Sequence, residues 1–210
     1  MKADGLIFDL DGTLWDASAS CMMAWNKALE NKRVKDFVIT QQLAHAFAGK
    51  LMKDIFSQYF TFLPEEQYQE MEAAYAEQEK IHMKSFGGQL YPGVKEQLKL
   101  LSEKYPLFIV SNCLTGYIEN FLDQHRLGNL FADYECIGVT GKPKAENIAM
   151  IISRNELSNA VYIGDTLGDF AAAKKNHLPF IYAEYGFGQV TDADHVISNF
   201  TELEQVLKNI

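Results

Sequence analysis

Residues 4–14 read D-G-L-I-F-D-L-D-G-T-L, and this stretch is the strongest indication of the fold in the chain. Its apolar residues, 6–8, predict a short buried strand, and two aspartates, Asp9 and Asp11, follow directly. Neighbouring carboxylates raise the cost of ionising each other, so the pair implies either a bound cation or acid–base chemistry. Because side chains two residues apart on a strand share a face, both carboxylates can point at one substrate.

The composition is that of an ordinary globular protein, and the charge argues against two classes of partner. The chain has 210 residues, of which 48% are hydrophobic and 22% are charged, and this length suits one large domain or a domain with an insertion. A net charge of −9 argues against a nucleic-acid partner and against a polybasic membrane anchor. No apolar run approaches the roughly 20 residues of a membrane-spanning helix.

The three cysteines and the start of the chain indicate the setting of the protein. The cysteines are odd in number and widely spaced, so we expect free thiols rather than a disulfide framework or a zinc site. The first strand is too short for the apolar region of a signal peptide. We therefore expect a cytoplasmic protein. The sequence contains no signal for the oligomeric state, so a monomer or a weak homodimer is the default expectation.

Short apolar runs alternate with helical patterns over most of the chain. The predicted strands cover residues 6–9, 107–111, 134–137, 161–164 and 180–183. The predicted helices cover residues 93–103, 115–125, 146–155, 169–176 and 201–208. This alternation predicts an α/β fold, with a Rossmann-like parallel sheet and helices on both faces.

One long interval, residues 16–87, contains no convincing strand. Its apolar residues follow helical spacing over residues 17–31, 41–47, 53–60 and 65–83. We expect an α-helical cap domain (16–87) inserted into a core formed by residues 1–15 and 88–210. In the alternative interpretation, these helices pack on one face of the sheet as part of a single core.

Ligands of open α/β sheets bind beyond the carboxyl ends of the strands, and this is where the polar residues of the sequence gather. The candidates are Asp9, Asp11, Thr13, Ser111, Asn112, Lys142, Lys144, Asp165 and Asp169. Carboxylates are hard oxygen ligands that suit Mg²⁺, and a carboxylate can also attack phosphorus. Serine and lysine can bind phosphoryl oxygens, which predicts a small phosphate ester as the substrate.

Four motifs in this order resemble the signature motifs of the haloacid dehalogenase (HAD) superfamily. They are F-D-L-D-G-T-L, V-S-N, G-K-P-K and I-G-D-T-x-x-D. A helical insertion directly after the first motif resembles the C1-capped, phosphoglycolate-phosphatase-like members, and the resemblance covers the whole chain. It implies a Rossmann-like core and a Mg²⁺-dependent phosphohydrolase that forms an aspartyl-phosphate.

The resemblance also implies roles for individual residues. Asp9 would be the nucleophile and Asp11 the general acid and base. The metal would be held by Asp9, the main-chain carbonyl of Asp11, Asp165 and, directly or through water, Asp169. The phosphate-binding residues that it implies are Thr13 and Ser111.

Several assignments stay open at the level of sequence. Either Lys142 or Lys144 could be the phosphate-binding lysine of the third motif, Asn112 could contact the substrate or only shape its turn, and Lys50 of the cap could reach an anionic substrate. A hexose-phosphate mutase would share all these core residues with a phosphatase. A catalytically silent binding module on the same scaffold is a further alternative.

Overall fold

The computed structural model describes residues 3–210, which fold as two compact units. The core unit contains residues 3–16 and Gln89–Ile210, and the helical unit contains Ala17–Gly88. The chain thus leaves the core unit after its first strands, completes the helical unit and returns. The helical unit begins and ends one residue later than the insertion expected from the sequence.

The core unit is built on a six-stranded sheet. In chain order, the strands are β1 (Gly5–Phe8), β2 (Trp15–Asp16), β3 (Gln89–Leu90), β4 (Leu107–Ser111), β5 (Phe131–Cys136), β6 (Ala160–Gly164), β7 (Phe180–Ala183) and β8 (His195–Ile197). The order across the sheet is β5-β4-β1-β6-β7-β8, and every neighbouring pair is parallel. β2 and β3 form a separate antiparallel pair where the chain leaves and re-enters the core unit.

The central strands of this sheet are buried along their whole length. Every residue of β1, β4 and β6 is buried, as expected for continuous apolar runs that are covered on both faces. β8 was not predicted, because only its last residue, Ile197, is fully buried and three residues give no readable periodicity.

The helical unit contains four α-helices around an aromatic core. They are α1 (Ser18–Asn31), α2 (Gln41–Phe47), α3 (Met52–Tyr59) and α4 (Tyr68–Ser85), with a 3₁₀ turn at Glu65–Gln67. The buried ring of Trp25 stacks on Tyr75 with the centroids 3.9 Å apart, and lies 5.0 Å from the ring of Phe60. The Trp25 ring also lies 5.8 Å from that of Phe47 in α2 and 6.0 Å from that of Phe56 in α3, so aromatic packing joins the four helices.

Six helices belong to the core unit, and they cover both faces of its sheet. They are α5 (Val94–Ser102), α6 (Tyr117–His125), α7 (Ile137–Thr140), α8 (Lys144–Arg154), α9 (Leu167–Lys175) and α10 (Leu203–Leu207), with a 3₁₀ turn at Phe200–Glu202. Ile148 and Ile151 of α8 belong to one buried cluster with Ile7. On the opposite face, the ring of Phe8 lies 6.0 Å from that of Phe200. This arrangement confirms the predicted fold class.

Two further points concern these helices. α8 begins at Lys144, two residues before the predicted start, because Pro143 adopts the extended backbone of a helix N-cap. Among residues 3–210, no helix combines the length and the apolar character needed to cross a membrane.

Candidate active site

Side chains from three neighbouring strands meet at the carboxyl edge of the sheet. Asp9 follows β1 directly, Asp165 follows β6 directly, and Ser111 is the last residue of β4. Because β1 lies between β4 and β6, these distant parts of the sequence become neighbours. All three side chains are buried, so their polar groups depend on the protein or a ligand for partners.

A tight turn after Asp9 closes over the neighbouring strand end. The Leu14 N–H donates to the Leu10 carbonyl oxygen at 2.9 Å, and Gly12 adopts a left-handed φ of 84°. A Cβ atom on Gly12 would collide with the Asp165 carboxylate, so this position suits glycine. The buried Thr13 hydroxyl donates to Asp165 Oδ1 at 3.4 Å. The turn therefore places Thr13 beside the acidic groups.

Lys144 contacts Asp9 and Asp169, whereas Lys142 lies at the surface. Lys144 Nζ lies 2.7 Å from Asp9 Oδ1 and 2.6 Å from Asp169 Oδ1. Burial opposes its charged form, but the charges of Asp169 and Asp9 outweigh this and raise the pKa of Lys144 well above its ordinary value. Lys142 is exposed, and its N–H donates to the Thr140 hydroxyl at 3.1 Å. The geometry therefore favours Lys144 as the lysine of the site.

Both carboxylate oxygens of Asp169 accept hydrogen bonds from protein donors. Oδ2 accepts from the N–H and the hydroxyl of Thr166, at 3.0 and 2.6 Å, and the Asp169 N–H donates back to the Thr166 hydroxyl. This is a capping box at the start of α9. Oδ1 accepts from Lys144 and, at 3.3 Å, from the Tyr162 hydroxyl. Asp169 thus orders the helix start and holds Lys144.

The acidic cluster fits a divalent cation. One oxygen from each of Asp9, Asp165 and Asp169 lies within 4.8 Å of the others, and all three residues are buried. Asp9 Oδ2 is buried and has no hydrogen-bond partner among residues 3–210. Hard carboxylate oxygens and an unpartnered buried oxygen are what Mg²⁺ would bind.

The pKa values of these acids show the same need for positive charge. Burial, followed by the charge of Asp169, raises the pKa of Asp9 to about 6. Burial, with the charges of Asp169 and Asp9, also raises the pKa of Asp165 well above its ordinary value. Lys144 lowers the pKa of both acids but does not cancel these effects. A bound cation would favour the ionised form of each carboxylate.

Asp11 has a partner that the sequence did not suggest. Asp11 is half-buried, and its Oδ1 accepts a hydrogen bond of 2.7 Å from the hydroxyl of Tyr117. Tyr117 is the first residue of α6 and lies in none of the four motifs. Asn112 is half-buried in the loop that joins β4 to this helix.

A loop after β7 supplies further contacts that sequence reasoning missed. The Phe187 N–H donates to Asp165 Oδ2 at 2.8 Å, and the Tyr185 hydroxyl donates to the Thr13 carbonyl oxygen at 2.8 Å. Between them, Gly186 is so close to its neighbours that a Cβ atom would lie 2.5 Å from the Gly12 carbonyl oxygen. The glycines in Y-G-F-G just beyond a strand were the available signal for this close approach.

Lys50 belongs to the helical unit. It lies in the short loop between α2 and α3, where its N–H donates to the Phe47 carbonyl oxygen at 3.0 Å. Gly49 before it has a left-handed φ of 71°, which makes the turn possible. Lys50 is half-buried, and its contact with a substrate stays a prediction.

Comparisons of the sequence identify one family. Residues 6–183 match the profile described as "Haloacid dehalogenase-like hydrolase". A phosphoglycolate phosphatase of Photobacterium profundum is 29% identical over 97% of this chain and 95% of its own length. One from Agrobacterium fabrum is 26% identical over 96% of this chain and 91% of its own length.

Solved structures share the same fold over nearly the whole chain. A haloacid dehalogenase-like family protein from Streptococcus pneumoniae superimposes with a TM-score of 0.86, covering 97% of this chain and 98% of that one, at 22% identity. A structure described as a predicted phosphatase from Clostridium acetobutylicum has a TM-score of 0.85 at 22% identity and covers 100% of both chains. At this level of identity, the two structures establish the fold alone.

Proposed function

The chain belongs to the haloacid dehalogenase-like hydrolases and is a phosphohydrolase, and from this premise we propose that it hydrolyses a small phosphomonoester with Mg²⁺ through a phospho-Asp9 intermediate. The observation that carries the proposal is the set of contacts made by the two oxygens of the Asp9 carboxylate. Its Oδ1 contacts Lys144, and its buried Oδ2 has no hydrogen-bond partner among residues 3–210. One oxygen of Asp9 also lies within 4.8 Å of an oxygen of Asp165. A buried carboxylate oxygen without a hydrogen-bond partner is suited to bind a cation or to attack a phosphoryl group.

The proposed metal ligands are the carboxylates of Asp9 and Asp165 and the main-chain carbonyl of Asp11. Asp169 would act through Lys144 or a water molecule, because both of its own oxygens already accept protein hydrogen bonds. When bound, the ion would offset the charge of the crowded acids and polarise the phosphoryl group.

In the first step, an oxygen of Asp9 attacks phosphorus as the bond between phosphorus and the ester oxygen breaks. Asp11 in its acid form gives its proton to that ester oxygen, so that the alcohol leaves neutral. Lys144, Ser111 and Thr13 would balance the negative charge that collects on the phosphoryl oxygens.

In the second step, water attacks the phosphorus atom of phospho-Asp9. Asp11, now a carboxylate, takes a proton from this water, and the bond between phosphorus and Asp9 breaks. Inorganic phosphate is released, Asp9 returns as a carboxylate, and Asp11 is again protonated for the next cycle.

We propose phosphoglycolate as the first substrate to test, because relatives that cover most of the chain are named phosphoglycolate phosphatases. In this proposal, Lys50 of the helical unit contacts the carboxylate of the substrate. Asn112 is a second candidate for a substrate contact. The cytoplasmic setting and the monomeric or weakly dimeric state remain predictions of the sequence.

The test measures phosphate release from phosphoglycolate and p-nitrophenyl phosphate, with Mg²⁺ and with the metal chelated. We expect turnover only with the metal, and we expect Asp9→Asn to abolish it because the nucleophile is lost. Asp123→Asn is the matched control, since Asp123 is exposed on α6. Acid-quenched wild-type enzyme should carry a hydroxylamine-sensitive phosphate. Wild-type turnover by Asp9→Asn would overturn the mechanism.

A further inference from the structure

The contact between Tyr117 and Asp11 comes from the way α6 begins. Gly116 precedes the helix with a left-handed φ of 90°, and Tyr117 is the first helical residue. Its hydroxyl donates to Asp11 Oδ1 at 2.7 Å, although the two residues are 106 positions apart in the chain. Tyr117 is 3% exposed and Asp11 is half-buried, so this hydrogen bond is partly shielded from bulk water.

The ring of Tyr117 is fixed by the same turn that carries Asp11. Trp15 packs edge-on against Tyr117, with centroids 5.5 Å apart and an interplanar angle of 84°, and against Phe121 one helical turn later at 5.1 Å. Trp15 is fully buried, and its carbonyl oxygen accepts a hydrogen bond from the Gly12 N–H at 3.0 Å. Trp15 therefore contacts both the ring that carries the hydroxyl and the turn that carries its carboxylate acceptor.

We infer that Tyr117 is a positioning residue for the acid–base step: its hydroxyl holds Asp11 Oδ1, so that proton transfer takes place through Oδ2. The inference rests on the acid–base role of Asp11 in the proposed function. Tyr117 lies outside the four motifs, which therefore assign it no role. In this inference it acts through Asp11 and not on the substrate.

The physical reason is the geometry of proton transfer. A carboxylic acid gives up its proton only from the oxygen that carries it, and a donated O–H at Oδ1 disfavours a proton on that oxygen. Asp11 also becomes negatively charged as its proton moves to the ester oxygen. A hydrogen bond to a charged acceptor is stronger than one to a neutral acceptor, so the Tyr117 contact strengthens towards the transition state.

This mechanism makes the effect of Tyr117 depend on the leaving group. A phenol needs protonation as it leaves, whereas p-nitrophenol is a good leaving group without it. Tyr117→Phe removes the hydroxyl and keeps the ring against Trp15. We expect it to lower kcat/KM for phenyl phosphate by roughly 10- to 100-fold, the effect of losing one hydrogen bond to a charged group, and for p-nitrophenyl phosphate by less than about threefold. kcat/KM reports only on the steps up to the first phosphoryl transfer, so slow hydrolysis of phospho-Asp9 does not enter.

Tyr134→Phe is the matched control. The Tyr134 hydroxyl also donates to a carboxylate on α6, that of Glu119, at 3.4 Å, but Glu119 has no part in the proposed reaction. We expect no change in kcat/KM for either ester.

A double-mutant comparison tests whether Tyr117 acts through Asp11. In the Asp11→Asn background, Tyr117→Phe should cause no further loss with phenyl phosphate, because the group that it positions is already absent. Equal losses for both esters, no loss for either, or an additive loss in the double variant would each overturn the inference. Failure of the proposed function would look different, since the wild type would then release no phosphate or Asp9→Asn would be fully active.

Discussion

Replacing Lys144 with methionine removes a buried ammonium group from the centre of the acidic cluster. Lys144 contacts Asp9 Oδ1 at 2.7 Å and Asp169 Oδ1 at 2.6 Å, and methionine fills a similar volume without the charge. Asp9, Asp165 and Asp169 would then lie together with no cation to offset them unless Mg²⁺ is bound. Each carboxylate raises the free energy needed to ionise the others.

The expected cost follows from the burial of the pairs. Removing one partner of a buried ion pair costs about 3–5 kcal/mol of unfolding free energy, and Lys144 has two such partners. We therefore expect a loss of about 4–5 kcal/mol at pH 7.5 without metal. The pKa of Asp9 is already raised from 3.8 to about 6, and it rises further when Lys144 is absent. Above about pH 6, the folded variant therefore holds a proton on Asp9 that the folded wild type has released. The loss of unfolding free energy is thus small below pH 4 and grows as the pH rises through 6 and above.

Urea denaturation at pH 5.0 and pH 7.5, with the metal chelated, measures this difference. Lys142→Met is the matched control, because Lys142 lies only two positions from Lys144 in the sequence but is exposed. We expect it to stay within about 0.5 kcal/mol of the wild type at both pH values. Addition of Mg²⁺ should restore part of the stability of Lys144→Met, since the ion would supply positive charge to the same carboxylates.

Three results would contradict this reasoning. The first is a cost for Lys144→Met below about 1 kcal/mol at pH 7.5, which is the range of an exposed ion pair. The second is an equal loss of unfolding free energy at both pH values, which would mean that Lys144 does not change the pKa values of the neighbouring carboxylates. The third is a cost for Lys142→Met as large as that for Lys144→Met.

Two further predictions concern the loop after β7 and the helical unit. Gly186→Ala places a methyl group 2.5 Å from the Gly12 carbonyl oxygen. We expect urea denaturation to show a loss of about 1–3 kcal/mol in unfolding free energy, and calorimetry to show weaker Mg²⁺ binding. Gly168→Ala is the control and should cost no stability, because its added Cβ would lie 3.4 Å from its nearest neighbour. Burial raises the pKa of Glu79 from 4.5 to about 7, so its ionisation destabilises the folded state as the pH rises through this range. Glu79→Gln should therefore add about 2–3 kcal/mol at pH 8 and little at pH 4, and an equal gain at both pH values would exclude this cause.

The sequence alone determined the fold class and the edge of the sheet where the candidate site residues lie. Apolar runs such as residues 107–110 predict buried parallel strands, because both faces of such a strand are covered. Once the strands are parallel, Asp9, Ser111 and Asp165 must emerge at one edge, since each directly ends or follows a strand. Short-range pattern was sufficient here because strand ends are local features of the chain.

The tertiary structure decided what local pattern could not express. The choice between Lys142 and Lys144 depends on where α8 begins, and two residues of difference turn one lysine into the buried interior and the other to the surface. The hydroxyl of Tyr117 and the N–H of Phe187 reach Asp11 and Asp165 from segments that follow other strands. Contacts of this kind join residues far apart in the chain, and a backbone N–H carries no signature in the residue type. Only the packing of helices and loops on the finished sheet brings them to the acids.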